Sequence, residues 1–128
     1  MRALMDTHVF LWWNAGDDRL SSRAREFVLD ASNEIVLSTA SAWEIAIKAA
    51  RGRLDLPLPA EQYIPERMAQ DAFVSLDIQL GHVLAAAALP AHHADPFDRI
   101  LIAQAQAERI PILTADETIR RYAVETIW

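Results

Sequence analysis

The chain contains no cysteine, only three glycines and a single lysine, Lys48. Without cysteine there can be no disulfide and no thiolate metal site, and a reducing compartment such as the cytoplasm is permitted. The three glycines fall in no phosphate-cradling motif, so a Gly-rich nucleotide loop is excluded. Positive charge is also scarce: 12 Lys and Arg against 18 Asp and Glu give a net charge of −6. Affinity for nucleic acid therefore does not follow from composition. A polyanion can still bind such a chain where metal ions and a local basic patch invert the field. Long apolar runs are missing too. None is long enough to cross a bilayer, so no membrane association is expected. Asp6 interrupts the first apolar run, so no signal-peptide pattern is expected there. Neither an internal repeat nor a low-complexity segment is present.

What remains is an ordinary globular composition, with 52% hydrophobic and 23% charged residues in 128 positions. That length suits one domain over 1–128, with roughly two thirds of the unfolded surface available for burial. Strand-like runs are Ala3–Met5, Ile35–Ser38, Phe73–Leu76, Pro111–Thr114 and Glu125–Ile127. The first, second and fourth are apolar without alternation, as strands buried on both faces are. Helical segments are expected at Thr7–Asn14, Ser22–Ala31, Ala40–Arg51, Ala60–Gln70, Ile78–Ala88, Pro96–Glu108 and Glu117–Ala123. Ser21 or Ser22 is the expected cap of the second helix. Asp95-Pro96 reads as an N-cap followed by proline at the first helical position. Strands and helices that alternate in this way predict βαβ units, a parallel sheet and helices on both faces.

In such a sheet, ligands bind beyond the carboxyl ends of the strands. Acidic residues recur there. Asp6 follows the first strand and Asp116 the fourth; Glu44 lies in the first turns of the helix after the second strand; Asp95 and Asp98 open the helix "DPFDRILIAQAQA". Each has a purely structural alternative. Asp6 ends a strand and caps the next helix. Glu44 pairs with Lys48 one turn on. Asp95 and Asp98 are a cap and its first-turn companion, and Asp116 caps a helix near Glu117. Taken together at one sheet edge, the carboxylates would repel one another and raise each other's pKa unless cations intervene. Hard divalent ions such as Mg²⁺ or Mn²⁺ prefer such oxygen ligands. His92 and His93 are adjacent in a loop without the ligand set of a zinc site. His8 is either a wall residue of the site or a plain helix residue. Trp12, Trp13 and Trp43 are assigned to core or interface.

The segments "MDTHVFLWW", "SAWEIAIKAARGRLDL" and "DPFDRILIAQAQAERIPILTADE" resemble the PIN-domain family, and within it the VapC-like toxins of bacterial toxin–antitoxin pairs. The likeness spans nearly the whole chain, with the order and spacing of the acids. It implies a three-layer α/β/α sandwich around a mainly parallel sheet, and divalent-metal-dependent endonucleolytic cleavage of RNA. Position by position, it implies that the four acids of the site fall on Asp6, Glu44, Asp98 and Asp116. Counting back without gaps from Asp116 selects Asp98 over Asp95, which is left as N-cap or auxiliary acid. Thr7 and Thr114 match wall positions whose hydroxyls can orient carboxylates or water.

In that reading Asp6, Asp98 and Asp116 hold Mg²⁺ or Mn²⁺, Glu44 holds or deprotonates a water or completes the metal shell, and the water attacks phosphorus in line as the 3′ oxygen leaves. Lys48, Arg51, Arg53, Arg99, Arg120 and Arg121 are the candidates for gripping RNA. A cognate antitoxin, homodimers and a cytoplasmic location are implied by the resemblance alone. Two rival readings are an aspartyl phosphotransfer or phosphatase domain and a non-catalytic module of the same fold. The first lacks a second Asp two residues after Asp6 and a lysine late in the sheet. The second does not require all four acids.

Overall fold

In the computed structural model, which describes residues 1–128, the unbroken apolar runs become the inner strands of one sheet. Arg2–Met5 forms β1, Glu34–Ser38 forms β2 and Ile112–Leu113 forms β4. Val74–Leu76 (β3) and Thr126–Ile127 (β5) are the edges, and the order is β3-β2-β1-β4-β5. All neighbouring pairs are parallel, with Leu4 opposite both Val36 and Ile112. The helices are α1 (Thr7–Ala15), α2 (Ser22–Leu29), α3 (Thr39–Ala50), α4 (Ala60–Gln70), α5 (Leu80–Ala88) and α6 (Pro96–Glu108).

Both faces of the sheet are buried, and side-chain alternation sorts them. Ala3, Met5, Ile35, Leu37 and Leu113 pack with Val9 and Phe10 of α1, Ala24 of α2, Ile45 of α3 and Tyr63 and Ile64 of α4. Leu4, Val36 and Ile112 face the other way, onto Leu101, Ile102 and Ala105 of α6. Each fully buried aliphatic side chain of this kind contributes about 1.5–3 kcal/mol. The expected α/β/α sandwich is therefore the observed one, with α5 packed outside α6. Trp12 and Trp13 lean on the core, but Trp43 is 61% exposed and meets Phe97 edge-on at 5.4 Å. Trp43 thus lies outside the core, which leaves the interface half of the expectation for it.

Local chemistry explains most element ends. Ser21 accepts the Ala24 N–H and starts α2. Gly16 closes α1 in the left-handed conformation, φ 64°. Asp95 accepts the Phe97 and Asp98 N–H groups at 2.9 and 3.4 Å, with Pro96 first in α6. The expected last helix, Glu117–Ala123, shrinks to a 3-10 turn at Ile119–Arg121. Asp116 takes the Thr118 N–H at 2.7 Å, and Tyr122 is buried with its hydroxyl donated to the Pro90 carbonyl. Both ends of the segment are held before a helix can extend.

Chain order creates the crevice. From β1 the chain proceeds outward through β2 and β3, then returns to β4 on the opposite side of β1. The connections after β1 and β4 therefore diverge, and a cleft opens at their carboxyl ends. Asp6 and Asp116 follow those two strands.

Candidate active site

Asp6 occupies the N-cap position of α1 with extended backbone (φ −62°, ψ 150°), yet its carboxylate caps nothing. Instead Oδ2 accepts the Thr114 hydroxyl at 2.7 Å. The same Thr114 oxygen accepts the Asp116 N–H at 3.0 Å, so one hydroxyl ties the end of β1 to the loop after β4. Asp6 is only 4% exposed, and its Oδ1 is buried without a partner. Burial pushes its carboxyl above the usual range and the Asp116 charge adds to this, against the opposing Thr114 hydrogen bond, His8 and the Thr7 N–H.

Glu44 reaches the same cleft from α3. It is 3% exposed, too buried for the surface residue that its pairing with Lys48 suggested. The pair does form: Lys48 Nζ donates to Oε2 at 2.6 Å, and that hydrogen bond raises the lysine pKa, as do the nearby Glu44, Asp95 and Asp98 charges. Glu44 Oε1 has no partner. One carboxylate oxygen is thus tied in the Lys48 pair and the other is buried without a partner.

Asp98, in the first turn of α6, is pushed up to about 8, first by burial and then by Asp6, Asp95, Glu44 and Asp116. The acids of four separate segments thus act on one another at one place. Asp116 lies across from Asp98, and His93 stands between them, Nε2 at 2.9 Å from Asp98 Oδ2 and 3.2 Å from Asp116 Oδ2. In the sequence His93 lacks the ligand set of a metal site; its acidic neighbours arrive from across the fold. The only chain-level sign was its place just before "DPFDR". A ring nitrogen of His93 and one carboxylate oxygen each of Asp98 and Asp116 form a group of potential ligand atoms within 4.8 Å of one another.

The remaining candidates divide. Asp95 spends its carboxylate on the α6 cap, as the N-cap reading expected. Thr114 orients a carboxylate, whereas Thr7 donates to Ser41 Oγ at 2.9 Å and ties α1 to α3. Lys48, Arg51 and Arg53 line a cleft of about 410 Å³ that also reaches Glu44 and Asp95. Arg99 is a correction: its guanidinium turns inward and donates to the carbonyls of Ala86, Leu89, Pro90 and His93. Four carbonyls in the preceding helix and loop outcompete solvent for its fork of donors, and it clamps that loop instead of facing a ligand. Arg120 is exposed and pairs with Glu117 at 3.5 Å; Arg121 is exposed.

A PIN-domain family model matches residues 3–125. Ribonuclease VapC16 of Mycobacterium tuberculosis is 41% identical over 61 residues, which are 48% of this chain and 43% of that protein. The matched stretch is thus less than half of VapC16. Ribonuclease VapC22 of the same organism is 28% identical over 120 residues, 93% of this chain and 90% of that protein. In fold, the chain is similar to VapBC2 from Rickettsia felis, crystallised bound to a promoter DNA fragment, with a TM-score of 0.73 at 12% identity over 98% and 97% of the two chains. A toxin–antitoxin complex from Klebsiella pneumoniae gives 0.65 at 22% identity over 98% and 96%.

Proposed function

The chain belongs to the PIN-domain family, and from that premise we propose that it is a divalent-metal-dependent endoribonuclease acting as the toxin of a toxin–antitoxin pair. The observation that carries this reading is the convergence of Asp6, Glu44 and Asp98 with Asp116, with two buried carboxylate oxygens, Asp6 Oδ1 and Glu44 Oε1, lacking any partner. Buried charge without a partner is costly, and an all-carboxylate donor set suits Mg²⁺ or Mn²⁺. The residues fit the ion. A bound divalent ion supplies positive charge for the scissile phosphate and acidifies a water.

The chain's own part follows from which oxygens are already engaged. Thr114 holds Asp6 Oδ2 and leaves Oδ1 without a partner, available to a cation. Lys48 holds Glu44 Oε2 and leaves Oε1 to accept a proton from the attacking water. Asp98 and Asp116 complete the set of ligands. RNA approaches along the cleft lined by Lys48, Arg51 and Arg53, whose cations offset the acidic net charge locally. The VapC names of the relatives and the toxin–antitoxin complex among the solved neighbours support an antitoxin as protein partner. Homodimers and a cytoplasmic location belong to the same reading; no helix is long and apolar enough to cross a membrane.

The experiment is cleavage of a mixed RNA pool with Mg²⁺, with Mn²⁺ and with chelator. Metal-dependent internal cleavage that disappears in Asp6→Asn is expected. Cleavage that persists in chelator, or none with either ion, would remove the metal-dependent nuclease reading. The two rivals are weaker: the phosphotransfer reading lacks a second Asp two residues after Asp6 and a lysine late in the sheet, and a binding module does not require orphaned buried carboxylates.

A further inference from the structure

His93 Nε2 lies close to both Asp98 and Asp116, two of the carboxylates assigned to the metal site. In an octahedral shell with metal–oxygen distances near 2.1 Å, adjacent ligand atoms lie about 3 Å apart. The 2.9 and 3.2 Å separations of Nε2 from the two carboxylates match such edges, so the imidazole reads at first as a third ligand. Its other nitrogen argues otherwise. Nδ1 accepts the Asp95 backbone N–H at 3.3 Å. With Nδ1 held as an acceptor, a neutral ring carries its proton on Nε2, and that N–H is aligned with Asp116 Oδ2, with Asp98 Oδ2 beside it at 2.9 Å. A nitrogen bearing this proton cannot bind a metal. Ligand histidines show the reverse arrangement, with the distal nitrogen donating.

We propose that the His93 side chain is a displaceable guard of the metal site: its Nε2–H, donated to Asp116 beside Asp98, competes with a divalent cation for Asp116, so His93 sets how tightly the site takes metal. This rests on the metal-site reading above. The backbone around His93 allows only the side chain to leave. The His93 N–H donates to the Tyr122 hydroxyl at 2.7 Å, and the His93 carbonyl accepts from Arg99 at 3.1 Å. Tyr122 in turn donates to the Pro90 carbonyl, and Arg99 holds Ala86, Leu89 and Pro90. The loop is clamped at both groups of the residue, and rotation about χ1 is the remaining freedom. When the ring swings out, Asp116 loses its imidazole donor, and a cation would take that donor's place. His93 is therefore a positioning residue for metal uptake; Asp98 and Asp116 are the ligands it guards.

The test is Mn²⁺ titration of the full chain, read from the electron paramagnetic resonance signal of free Mn²⁺, for wild type, His93→Ala, His93→Gln and Asp98→Asn. His93→Ala is expected to bind about tenfold tighter than wild type, the order of one hydrogen bond to a charged group. His93→Gln retains an N–H donor at similar reach and is expected to return toward wild-type affinity. Weaker binding by His93→Ala would make His93 a ligand and overturn the proposal, as would unchanged binding. Should no protein bind Mn²⁺, or Asp98→Asn bind as well as wild type, the metal-site reading fails and this proposal with it. A second arm needs no variant. Imidazole ¹H–¹⁵N correlations of wild type should show the Nε2–H tautomer, with the His93 ring and Asp95 amide signals shifting together as Mg²⁺ saturates the site. A ring that keeps its signals at saturating Mg²⁺ overturns the proposal independently.

Discussion

Asp6 and Asp95 stand at equivalent places, each an extended residue immediately before a helix. Asp95 does what an N-cap does, accepting two backbone N–H groups of α6. Asp6 makes no such cap, and of α1 only the adjacent Thr7 N–H acts on its carboxylate. The difference lies in surroundings, not in position along the helix. Asp95 is on the rim, where a cap is the best use of its charge. Asp6 is buried at the junction of β1 and β4, where Thr114 competes for the carboxylate and holds it across the crevice. A residue at a cap position is thus free for chemistry when something from another strand holds it more firmly than its own helix does.

Four measurements break or sharpen this contrast. The largest effect is expected from Asp6→Asn and Asp98→Asn, each reducing RNA cleavage to background while the chelated protein stays folded. Removing a charge from a crowded carboxylate site relieves repulsion, so the melting temperature of chelated Asp6→Asn should equal or exceed that of wild type. A marked drop in melting temperature would return Asp6 to a structural role and erase the contrast with Asp95.

Next comes the pH dependence of stability in chelator. Between the ordinary carboxylate range and about 8, Asp98 keeps its proton in the fold and has lost it in the unfolded chain. The folded state then binds more protons, so stability falls as pH rises through that window. Denaturant melts across it should show the decline, and Asp98→Asn should flatten it.

Thr114→Val removes the hydroxyl that links Asp6 to Asp116 and keeps the side-chain shape. Loss of such an orienting partner is expected to cost about 10–100-fold in metal affinity or activity. Calorimetric titration with Mn²⁺ and the RNA cleavage rate would show it, and an unchanged Kd would mean that Asp6 is held by its burial alone. The smallest effect belongs to Asp95. Asp95→Ala should lower stability by about 0.5–2 kcal/mol, and Asp95→Ser should recover most of it, because a hydroxyl also caps the free amides. A folded Asp95→Ser without activity would move Asp95 into the site and dissolve the contrast from the other side.

Much of the architecture was legible in the chain itself. The apolar runs around Leu4, Val36 and Ile112 are strands buried on both faces, and Asp95-Pro96 marks the start of α6 to the residue. Those signals work because propensity, periodicity and capping act between close sequence neighbours. The same reasoning placed acids at the strand ends. It failed at Glu117–Ala123, where a helical pattern lost to tertiary anchors at Asp116 and Tyr122.

What only the tertiary structure decided is where side chains go once the strands are ordered. Thr114 meets Asp6 across 108 positions of sequence, a contact that exists because β4 returns to the side of β1 opposite β2. His93 finds Asp116 by the same route, 23 positions on. Arg99, polar and early in its helix, read as a surface cation until the loop before α6 folded its carbonyls around it. The sequence by itself determined a parallel sheet with carboxylates at one edge, since strands and helix starts are written locally. Which oxygen of each carboxylate is tied, which is left free, and which donor lies between them depends on groups that only strand order and loop closure bring within about 3 Å.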